Sequence, residues 1–163
     1  MYKIGIGHDT HRLGPGTGMF IGGVQISHER SLIGHSDADV LLHAITDAIL
    51  GTLALGDIGE LFPDTDPKNK GRNSAEMLLA AYELVKEKGW TVANLDCIIF
   101  AEQPKLGPQK QVIRQKIADI LSLTPEQVGV KAKTGEKVGP IGRSEAISAE
   151  VVVLVEKKQM ERS

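Results

Sequence analysis

The chain opens with a strand pattern that leads into a cluster of possible metal ligands. From Tyr2 to Gly7, a large apolar residue stands at every second position, which is the period of a strand. The same run continues into His8, Asp9 and His11. Because successive side chains of a strand point to opposite faces, Asp9 and His11 share one face and His8 lies on the other. We therefore expect Asp9 and His11 to act as a pair.

A helical period then predicts the first helix and a third ligand. Apolar residues recur with helical spacing through residues 40–49, and Ser36 with Asp39 three residues later forms a capping-box arrangement at the entrance. Asp39, His43 and Asp47 are spaced four residues apart, which places one imidazole between two carboxylates on a single stripe. His43 is the candidate third ligand, and Asp47 or Asp39 is expected to accept its second ring N–H.

The remaining pattern predicts a single domain, residues 1–163, of the α/β (α+β) class. Strands near both ends with helices between them indicate a single mixed β-sheet with helices mainly on one face. The closing strand is apolar at nearly every position from Val151 to Val155, so we expect its second face to be buried against other subunits. The charged tail over 157–163 is expected to be frayed. The other predicted elements are a hairpin over 19–26, helices from 73 or 74 to about 89 and over 112–121, a capped turn over 124–127, and strands from 92 or 94 to 101, over 128–134 and over 144–156.

Composition limits the function classes that fit. The chain has 163 residues, 41% of them hydrophobic, and a formal net charge of -2, which argues against nucleic acid or a membrane surface as a partner. No apolar segment reaches the roughly 20 residues of a membrane-spanning helix. The single cysteine, Cys97, excludes an internal disulfide, and the N-terminus has no signal-peptide pattern, so we expect a cytoplasmic protein.

Asp9, His11 and His43 together have the composition of a catalytic zinc site. One carboxylate and two imidazoles form the ligand set of catalytic rather than structural zinc, with the fourth position open to water or substrate. The alternative is that Asp9 and His11 are polar residues at the end of a strand and His43 is a hydrogen-bonded core histidine.

Other segments suit phosphate and hydroxyl groups. His35 and Ser36 stand at the predicted helix start, where backbone N–H groups and the helix dipole favour an anion, although Ser36 also fits a plain cap. Residues 131–137 offer cations and hydroxyls for phosphate, and Glu136 suits a hard cation such as Mg²⁺; a solvated loop of mixed charge has the same composition. The acidic loop 57–66 suits sugar or polyol hydroxyls, and turns alone also explain it.

Six short motifs occur in a characteristic order and spacing, at residues 9–11, 35–39, 43–48, 55–59, 61–67 and 103–105. The most specific are the His-Ser-Asp-Ala-Asp run that begins at His35 and the Phe-Pro-Asp-Thr-Asp run that begins at Phe62. Together the motifs resemble one enzyme family, the 2-C-methyl-D-erythritol 2,4-cyclodiphosphate synthases of the non-mevalonate isoprenoid pathway. The likeness covers essentially the whole chain.

The resemblance implies a homotrimer whose sheets pack around the trimer axis and whose active sites lie between subunits. It implies zinc on Asp9, His11 and His43, and Mg²⁺ or Mn²⁺ on Glu136. The implied substrate is a cytidine diphosphate compound, 4-diphosphocytidyl-2-C-methyl-D-erythritol 2-phosphate. Its 2-phosphate attacks the β-phosphorus, which closes the 2,4-cyclodiphosphate and expels CMP. For such a lyase the protein need only fold the substrate and neutralise charge.

The resemblance also implies roles for further residues. His35 and Ser36 would hold the 2-phosphate side, with His35 and Thr134 stabilising the transition state. The other implied substrate contacts are Asp9, Thr10 and His11; Asp57, Ile58 and Gly59 at the erythritol hydroxyls; the mobile loop of Phe62, Pro63, Asp64, Thr65 and Asp66; and, around the cytidine bound at the adjoining subunit, Ala101, Glu102, Gln103, Pro104, Lys105, Leu106 and Gly107 with Ala132, Lys133, Thr134, Gly135 and Glu136.

The last third of the chain departs from the family pattern. Residues 133–136 read Lys-Thr-Gly-Glu where many members have Thr-Thr-Thr-Glu, and Pro140 stands in place of a usual aromatic residue. The charge of Lys133 would compensate for a missing hydroxyl. Arg143 matches the family's arginine near the trimer axis, a place proposed for an isoprenoid diphosphate.

Two other functions fit the same residues. A zinc-dependent nucleoside-diphosphate hydrolase would use the same metal ligands with water as the nucleophile, so only the product distinguishes it from a synthase. A non-catalytic trimeric nucleotide-binding or metal-storage protein would keep its fold after the loss of His35 and Glu136.

Overall fold

A five-stranded mixed sheet forms the centre of the protein in the computed structural model, which describes residues 1–158. The strands are, in chain order, β1 (Tyr2–Pro15), β2 (Met19–Ile21), β3 (Val24–Ile26), β4 (Arg30–Ile33), β5 (Trp90–Phe100), β6 (Val128–Lys133) and β7 (Ala146–Lys157). The helices are α1 (Val40–Thr52), α2 (Ile58–Leu61), α3 (Ser74–Glu87), α4 (Lys110–Leu121) and α5 (Gly139–Gly142), with 3-10 turns at Pro67–Asn69, Gly107–Gln109 and Pro125–Gln127.

The order of strands in the sheet is β4-β1-β7-β5-β6. Strands β5 and β6 are parallel and the other neighbouring pairs are antiparallel, while β2 and β3 form a separate hairpin. Helix α1 packs on β1 and β7, α3 on α1 and β5, and α4 on β6. The predicted mixed α/β class is therefore confirmed. None of the helices within residues 1–158 is both long and apolar enough to span a membrane.

Two glycines on one face of β1 set the distance between the sheet and α1. Gly5 and Gly7 lie on the buried face of the strand, and a Cβ added at either would come 1.9 Å from the carbonyl oxygen of Ala48 or Ala44. The absence of side chains therefore lets the helix backbone touch the strand. Asp9 and His11 continue the same face of β1, so the close helix brings α1 side chains directly over them.

Helix α1 begins at Asp39, and the predicted cap at Ser36 is wrong. Asp39 Oδ1 accepts hydrogen bonds from the backbone N–H groups of Leu42 (3.0 Å) and Gly22 (2.9 Å), and Oδ2 accepts from Gly23 N–H (2.7 Å). Ala38, at φ +58°, turns the chain between β4 and the helix, so residues before it do not continue the helical path. The same buried carboxylate thus starts α1 and fastens the β2–β3 hairpin to it.

The sheet face opposite the helices carries an apolar surface. Tyr2, Ile4, Ile6 and Val152 are exposed there, with Ile4 and Ile6 at 70% and 73%. Four neighbouring large apolar side chains in water are unfavourable. Burial of this face against other subunits, which the sequence analysis expected for the closing strand, stays a prediction.

The C-terminal end of β7 is ordered further than the sequence predicted. Lys157 belongs to the strand and its N–H donates to Met1 O (3.1 Å), and Lys158 N–H donates to Gly89 O (2.9 Å). These backbone hydrogen bonds extend the sheet into the segment expected to fray. The rest of the predicted tail, 159–163, lies outside the described residues.

Candidate metal centre and active site

Three side chains from β1 and α1 converge on one point. His11 Nε2 lies 2.9 Å from Asp9 Oδ2, and His43 Nδ1 lies 3.1 Å from Asp9 Oδ2 and 3.2 Å from His11 Nε2. Two ligand atoms of a tetrahedral zinc ion lie about 3.3 Å apart, given metal–ligand bonds near 2.0–2.1 Å. Asp9, His11 and His43 therefore form a metal-ligand set, and the prediction that these three residues meet is confirmed.

Hydrogen bonds behind the two imidazoles leave their inner nitrogens free for a metal. His11 Nδ1 is 2.8 Å from Ile33 O; a carbonyl can only accept, so Nδ1 carries the proton and Nε2 keeps its lone pair. His43 Nε2 faces Ser74 Oγ at 2.8 Å and Ser36 Oγ at 3.0 Å. A neutral His43 that donates from Nε2 keeps the Nδ1 lone pair on the side of Asp9.

The predicted carboxylate partner of His43 is wrong. Asp39 is occupied by the backbone N–H groups that it caps. Asp47 Oδ1 instead accepts the N–H of Ile58 at 2.7 Å, which fastens the start of α2 to the middle of α1. The outer ring nitrogen of His43 contacts serine hydroxyls instead, one of them 31 residues away in the chain.

The ligand set is strongly coupled electrostatically. Burial disfavours the ionised form of Asp9, yet hydrogen bonds from His11 and His43 outweigh it and hold the pKa of Asp9 well below its usual range. Burial likewise disfavours protonated His11, but the hydrogen bond and negative charge of Asp9 prevail and raise the pKa of His11 above its ordinary 6.5. The pocket therefore holds a negative charge that attracts either a proton or a cation.

This coupling predicts that metal affinity decreases as the pH is lowered, and that the decrease already begins above pH 6.5. A proton and a metal compete for His11 Nε2, and the raised pKa of His11 lets the proton compete at higher pH than on an isolated imidazole. Below that pKa the apparent affinity should fall about tenfold per pH unit. Cobalt titrations followed by visible absorption between pH 6 and 8.5 measure it. A cobalt affinity that stays constant across this range would contradict the prediction.

The ligand set forms one wall of a cavity of about 350 Å³. Among its lining residues, His35 has a buried Nε2 atom with no hydrogen-bond partner within residues 1–158. The sequence analysis expected His35 and Ser36 at the start of α1, but they precede its N-cap residue, Asp39. Ser36 Oγ nevertheless contacts His43 of that helix. The other lining residues are Asp9, His11, Ile33, Gly34, Ser36, His43, Ile58, Gly59, Phe62, Asp64, Asn69 and Met77.

A second cavity of about 170 Å³ lies where β5 and β6 end. Its lining includes three lysines, Lys105, Lys110 and Lys133. The other lining residues are Ala101, Leu106, Gly107, Ala132 and Thr134. Within one chain the two cavities share no lining residue.

Comparisons with known proteins agree on one family. The sequence profile of the YgbB family matches residues 2–156. The chain belongs to the YgbB family. It is 51% identical over 154 residues to the 2-C-methyl-D-erythritol 2,4-cyclodiphosphate synthase of Synechococcus elongatus. This match covers 94% of this chain and 96% of that protein. It is 53% identical over 153 residues to the synthase of a Nostoc species, with 94% and 93% covered.

Solved structures of YgbB-like proteins have the same fold. The bifunctional IspDF of Campylobacter jejuni superposes with a TM-score of 0.94 at 43% identity; the match covers 98% of this chain, which spans only 43% of that longer protein. The CDP complex of IspF from Plasmodium falciparum superposes with a TM-score of 0.86 at 34% identity, and 97% of each chain is covered. The predicted membership of the cyclodiphosphate-synthase family is confirmed.

The predicted site residues fall into three groups: those that line the metal cavity, those that line the second cavity, and those that line neither. The metal cavity contains Asp9, His11, His35, Ser36, His43, Ile58, Gly59, Phe62 and Asp64. The second cavity contains Ala101, Lys105, Leu106, Gly107, Ala132, Lys133 and Thr134. Neither cavity is lined by Thr10, Asp57, Pro63, Thr65, Asp66, Glu102, Gln103, Pro104, Gly135, Glu136 or Arg143.

Several residues of this third group have structural contacts instead. Asp57 caps α2 through Glu60 N–H (2.9 Å) and Asp66 caps the next turn through Lys68 N–H (3.0 Å). Glu102 Oε2 accepts Gly135 N–H at 3.0 Å, which ties the loop after β5 to the loop after β6. Arg143 pairs with a neighbouring glutamate. These side chains hold the loops around the two cavities.

Sequence reasoning missed Ile33 and Gly34, which directly precede His35 in the metal cavity, and four further residues near the cavities. Asn69 and Met77 line the metal cavity, Lys110 lines the second one, and Ser74 contacts His43. Lys110 had a local signal, because it follows the loop 101–107 directly. The other three come from segments distant in sequence, and only the fold brings them there.

Proposed function

We propose that this chain is a 2-C-methyl-D-erythritol 2,4-cyclodiphosphate synthase, a phosphorus–oxygen lyase of non-mevalonate isoprenoid biosynthesis. One observation carries the proposal. The ligand atoms of Asp9, His11 and His43 lie around a single point, in a chain that is 51% identical to a synthase over nearly its whole length. The substrate would be 4-diphosphocytidyl-2-C-methyl-D-erythritol 2-phosphate and the products 2-C-methyl-D-erythritol 2,4-cyclodiphosphate and CMP.

The proposed reaction is an intramolecular displacement at phosphorus. An oxygen of the substrate's 2-phosphate forms a bond to the β-phosphorus, and the bond from that phosphorus to the oxygen bridging it to the α-phosphate breaks. The bridging oxygen leaves with its electron pair on CMP, so no water is consumed. Because nucleophile and electrophile belong to one molecule, the protein has to fold the substrate and neutralise its charge.

Asp9, His11 and His43 fit zinc, because one carboxylate and two neutral imidazole nitrogens lie at suitable mutual distances. Glu136 is the proposed ligand of Mg²⁺ or Mn²⁺, since hard cations prefer carboxylate oxygens. When bound, the two ions would supply positive charge to the diphosphate oxygens. Glu136 has φ +50° and its neighbour Lys137 φ +60°, an unfavourable backbone for non-glycine residues that is often retained at functional sites.

The remaining residues of the metal cavity would bind the methylerythritol phosphate. The unpartnered Nε2 of His35 suits an oxygen of the 2-phosphate, with Ser36 Oγ beside it. His35 and Thr134 would stabilise charge in the transition state. Asp57, Ile58 and Gly59 would contact the erythritol hydroxyls, with the loop 62–66 covering them. Exclusion of water by this loop would keep hydrolysis from competing.

The second cavity is the proposed cytidine site. Lys105 and Lys133 of its lining would face the diphosphate, and the apolar lining residues would hold the base. The contacts of Thr10 and Arg143 stay predictions, as do all the other substrate contacts. A cytoplasmic location, proposed from the single buried thiol Cys97, also stays a prediction.

The chain would act as a homotrimer with active sites between subunits. Two observations support this: the exposed apolar face of Tyr2, Ile4, Ile6 and Val152, and the separation of the metal cavity from the second cavity within one chain. A substrate that needs both cavities would then bind the metal cavity of one subunit and the second cavity of its neighbour. Burial of the apolar faces around a common axis would drive assembly.

Mixing two inactive variants tests this arrangement. His43→Ala disables the metal cavity and Lys105→Ala the second cavity. In trimers reassembled from equal amounts of both, about one quarter of the interfaces pair two intact half-sites, so activity should recover to about that level. The control is a mixture of His43→Ala with His11→Ala, which damage the same cavity and should stay inactive. No recovery in reassembled trimers would place both half-sites on one chain.

Phosphorus NMR tests the function itself. The protein is incubated with the diphosphocytidyl substrate and Mg²⁺, with and without a zinc chelator. Two coupled cyclic-diphosphate signals together with CMP, lost on chelation, are expected. Linear phosphate products would instead identify a nucleoside-diphosphate hydrolase, and no conversion would identify a non-catalytic nucleotide-binding or metal-binding protein.

A further inference from the structure

A serine–aspartate pair lies behind His43, on the side away from Asp9. His43 Nε2 is 2.8 Å from Ser74 Oγ, and the Ser74 hydroxyl in turn donates to Asp37 Oδ1. The other carboxylate oxygen of Asp37 accepts the backbone N–H of Ser74 at 3.0 Å. Ser74 is completely buried, so water does not compete for its contact with His43, while Asp37 is partly exposed. The three groups form a continuous hydrogen-bonded chain that ends at the proposed metal ligand.

The direction of this chain is fixed by Asp37. A carboxylate can only accept, so the hydroxyl hydrogen of Ser74 points to Asp37 and its lone pair points to His43. His43 Nε2 must then donate, and in the neutral ring Nδ1 has no proton. A metal ligand needs this lone pair.

Without the serine, the opposite tautomer would be favoured. Asp9 Oδ2 lies 3.1 Å from His43 Nδ1 and is itself an acceptor, so it competes for the ring proton from the metal side. A proton between these two atoms would occupy the position of the metal. Ser36 Oγ also lies 3.0 Å from Nε2, but no carboxylate within residues 1–158 accepts its hydroxyl hydrogen, so Ser36 does not select a tautomer.

We propose that Ser74 and Asp37 are positioning residues that hold His43 in the Nε2–H tautomer and keep its Nδ1 lone pair available to the metal. This inference rests on the proposed metal site and adds to it two residues that the ligand set does not contain. Partners of this kind, which bind the second nitrogen of a ligating histidine, typically contribute 10–100-fold to metal affinity.

Two substitutions test the proposal in different ways. Ser74→Ala removes the acceptor for Nε2–H. Asp37→Ala removes the acceptor of the Ser74 hydroxyl, together with that of the backbone N–H groups of Ser74 and Asp39, which also donate to the carboxylate. The Ser74 hydroxyl would then donate to His43, and Nε2 would become an acceptor. Both variants should therefore move the ring proton to Nδ1.

The matched control is Asn73→Ala, one residue before Ser74. Asn73 caps the same helix through Ala75 N–H at 2.8 Å and does not contact His43. Its loss weakens the start of α3 without altering the chain from Asp37 to His43. Any effect of helix fraying alone should therefore appear in this variant too.

Two measurements that need no turnover decide the matter. Long-range ¹H–¹⁵N NMR of the metal-free protein, at a pH where the ring is neutral, should show Nε2–H in the wild type and Asn73→Ala, and mainly Nδ1–H in Ser74→Ala and Asp37→Ala. Cobalt affinity should fall about 10–100-fold in the last two and stay within twofold in the control. If Ser74→Ala and Asp37→Ala both keep the wild-type tautomer and cobalt affinity, the proposal is wrong. Because neither readout involves substrate, a failure of the proposed synthase activity would be recognised separately by phosphorus NMR.

Discussion

Replacing His43 with alanine is expected to abolish metal binding and turnover in a protein that still folds. The substitution leaves Asp9 and His11 as a two-ligand set, which does not retain zinc at ordinary concentrations. It also removes the side chain that connects α1 to the cavity. The loss of a bound cation from the reacting phosphates should reduce turnover by at least about 10³-fold. The apolar contacts of α1 with β1 and β7 do not involve the imidazole, so the fold should persist.

The experiment compares this variant with His28→Ala. His28 lies in the loop between β3 and β4 and lines neither cavity, so its loss changes the histidine count in the same way without touching the ligand set. Zinc content by mass spectrometry and product formation by phosphorus NMR should both be at wild-type level in the control and absent in His43→Ala. Full activity in a metal-free His43→Ala protein would refute the zinc assignment.

The meeting of these three ligands could be predicted because two simple periods determine it. The period of two along β1 places Asp9 and His11 on one face whatever the rest of the fold does. The helical period of α1 places His43 on one stripe with Asp39 and Asp47, against the apolar residues of the helix. What the periods alone did not give was the distance between helix and strand. Gly5 and Gly7 set that distance, and in the sequence they read only as small residues of an alternating strand.

The start of α1 could not be predicted in the same way. Ser36 and Asp39 are both good N-caps, and local sequence does not choose between them. The choice is made by the β2–β3 hairpin, whose Gly22 and Gly23 N–H groups bind the Asp39 carboxylate. Burial raises the pKa of Asp39, although three backbone N–H groups favour its charged form. A carboxylate held by a distant hairpin is a tertiary contact that propensity does not report.

The environment behind His43 was unpredictable for a related reason. The i, i+4 rule suggested Asp39 or Asp47 because both share its helix stripe. In the fold, Ser74 arrives from α3, and Asp37 binds it across 37 residues of sequence. Strand β4 was missed as well, because Arg30 and Ser31 interrupt any apolar alternation in its four residues. Long-range polar contacts and short edge strands therefore mark the limit of what a single sequence shows.

Gly7→Ala is expected to destabilise the protein severely and to weaken the metal site. The new Cβ would lie 1.9 Å from Ala44 O and 2.7 Å from Ala48 N. These are backbone atoms of α1, which cannot rotate away as a side chain would. Overpacking in a core costs about 1–3 kcal/mol and occasionally more, and we expect about 3 kcal/mol here, or a fall in Tm of roughly 10 °C. The helix that must move also carries His43, so cobalt affinity should fall as well.

Gly51→Ala provides the matched control at the same helix–strand contact. Its Cβ would lie 3.8 Å from Ile6 O and 3.9 Å from Gly5 Cα, which is ordinary van der Waals contact, and the residue lies inside α1. Alanine should therefore stabilise the protein by about 0.5–1 kcal/mol through helix propensity. In thermal unfolding at one protein concentration, Gly7→Ala should therefore lower the Tm and Gly51→Ala should raise it, although the chemical change is the same. A wild-type Tm in Gly7→Ala would mean that α1 can retreat from β1 without cost, and the metal geometry would then have to be held by His43 and its partners alone.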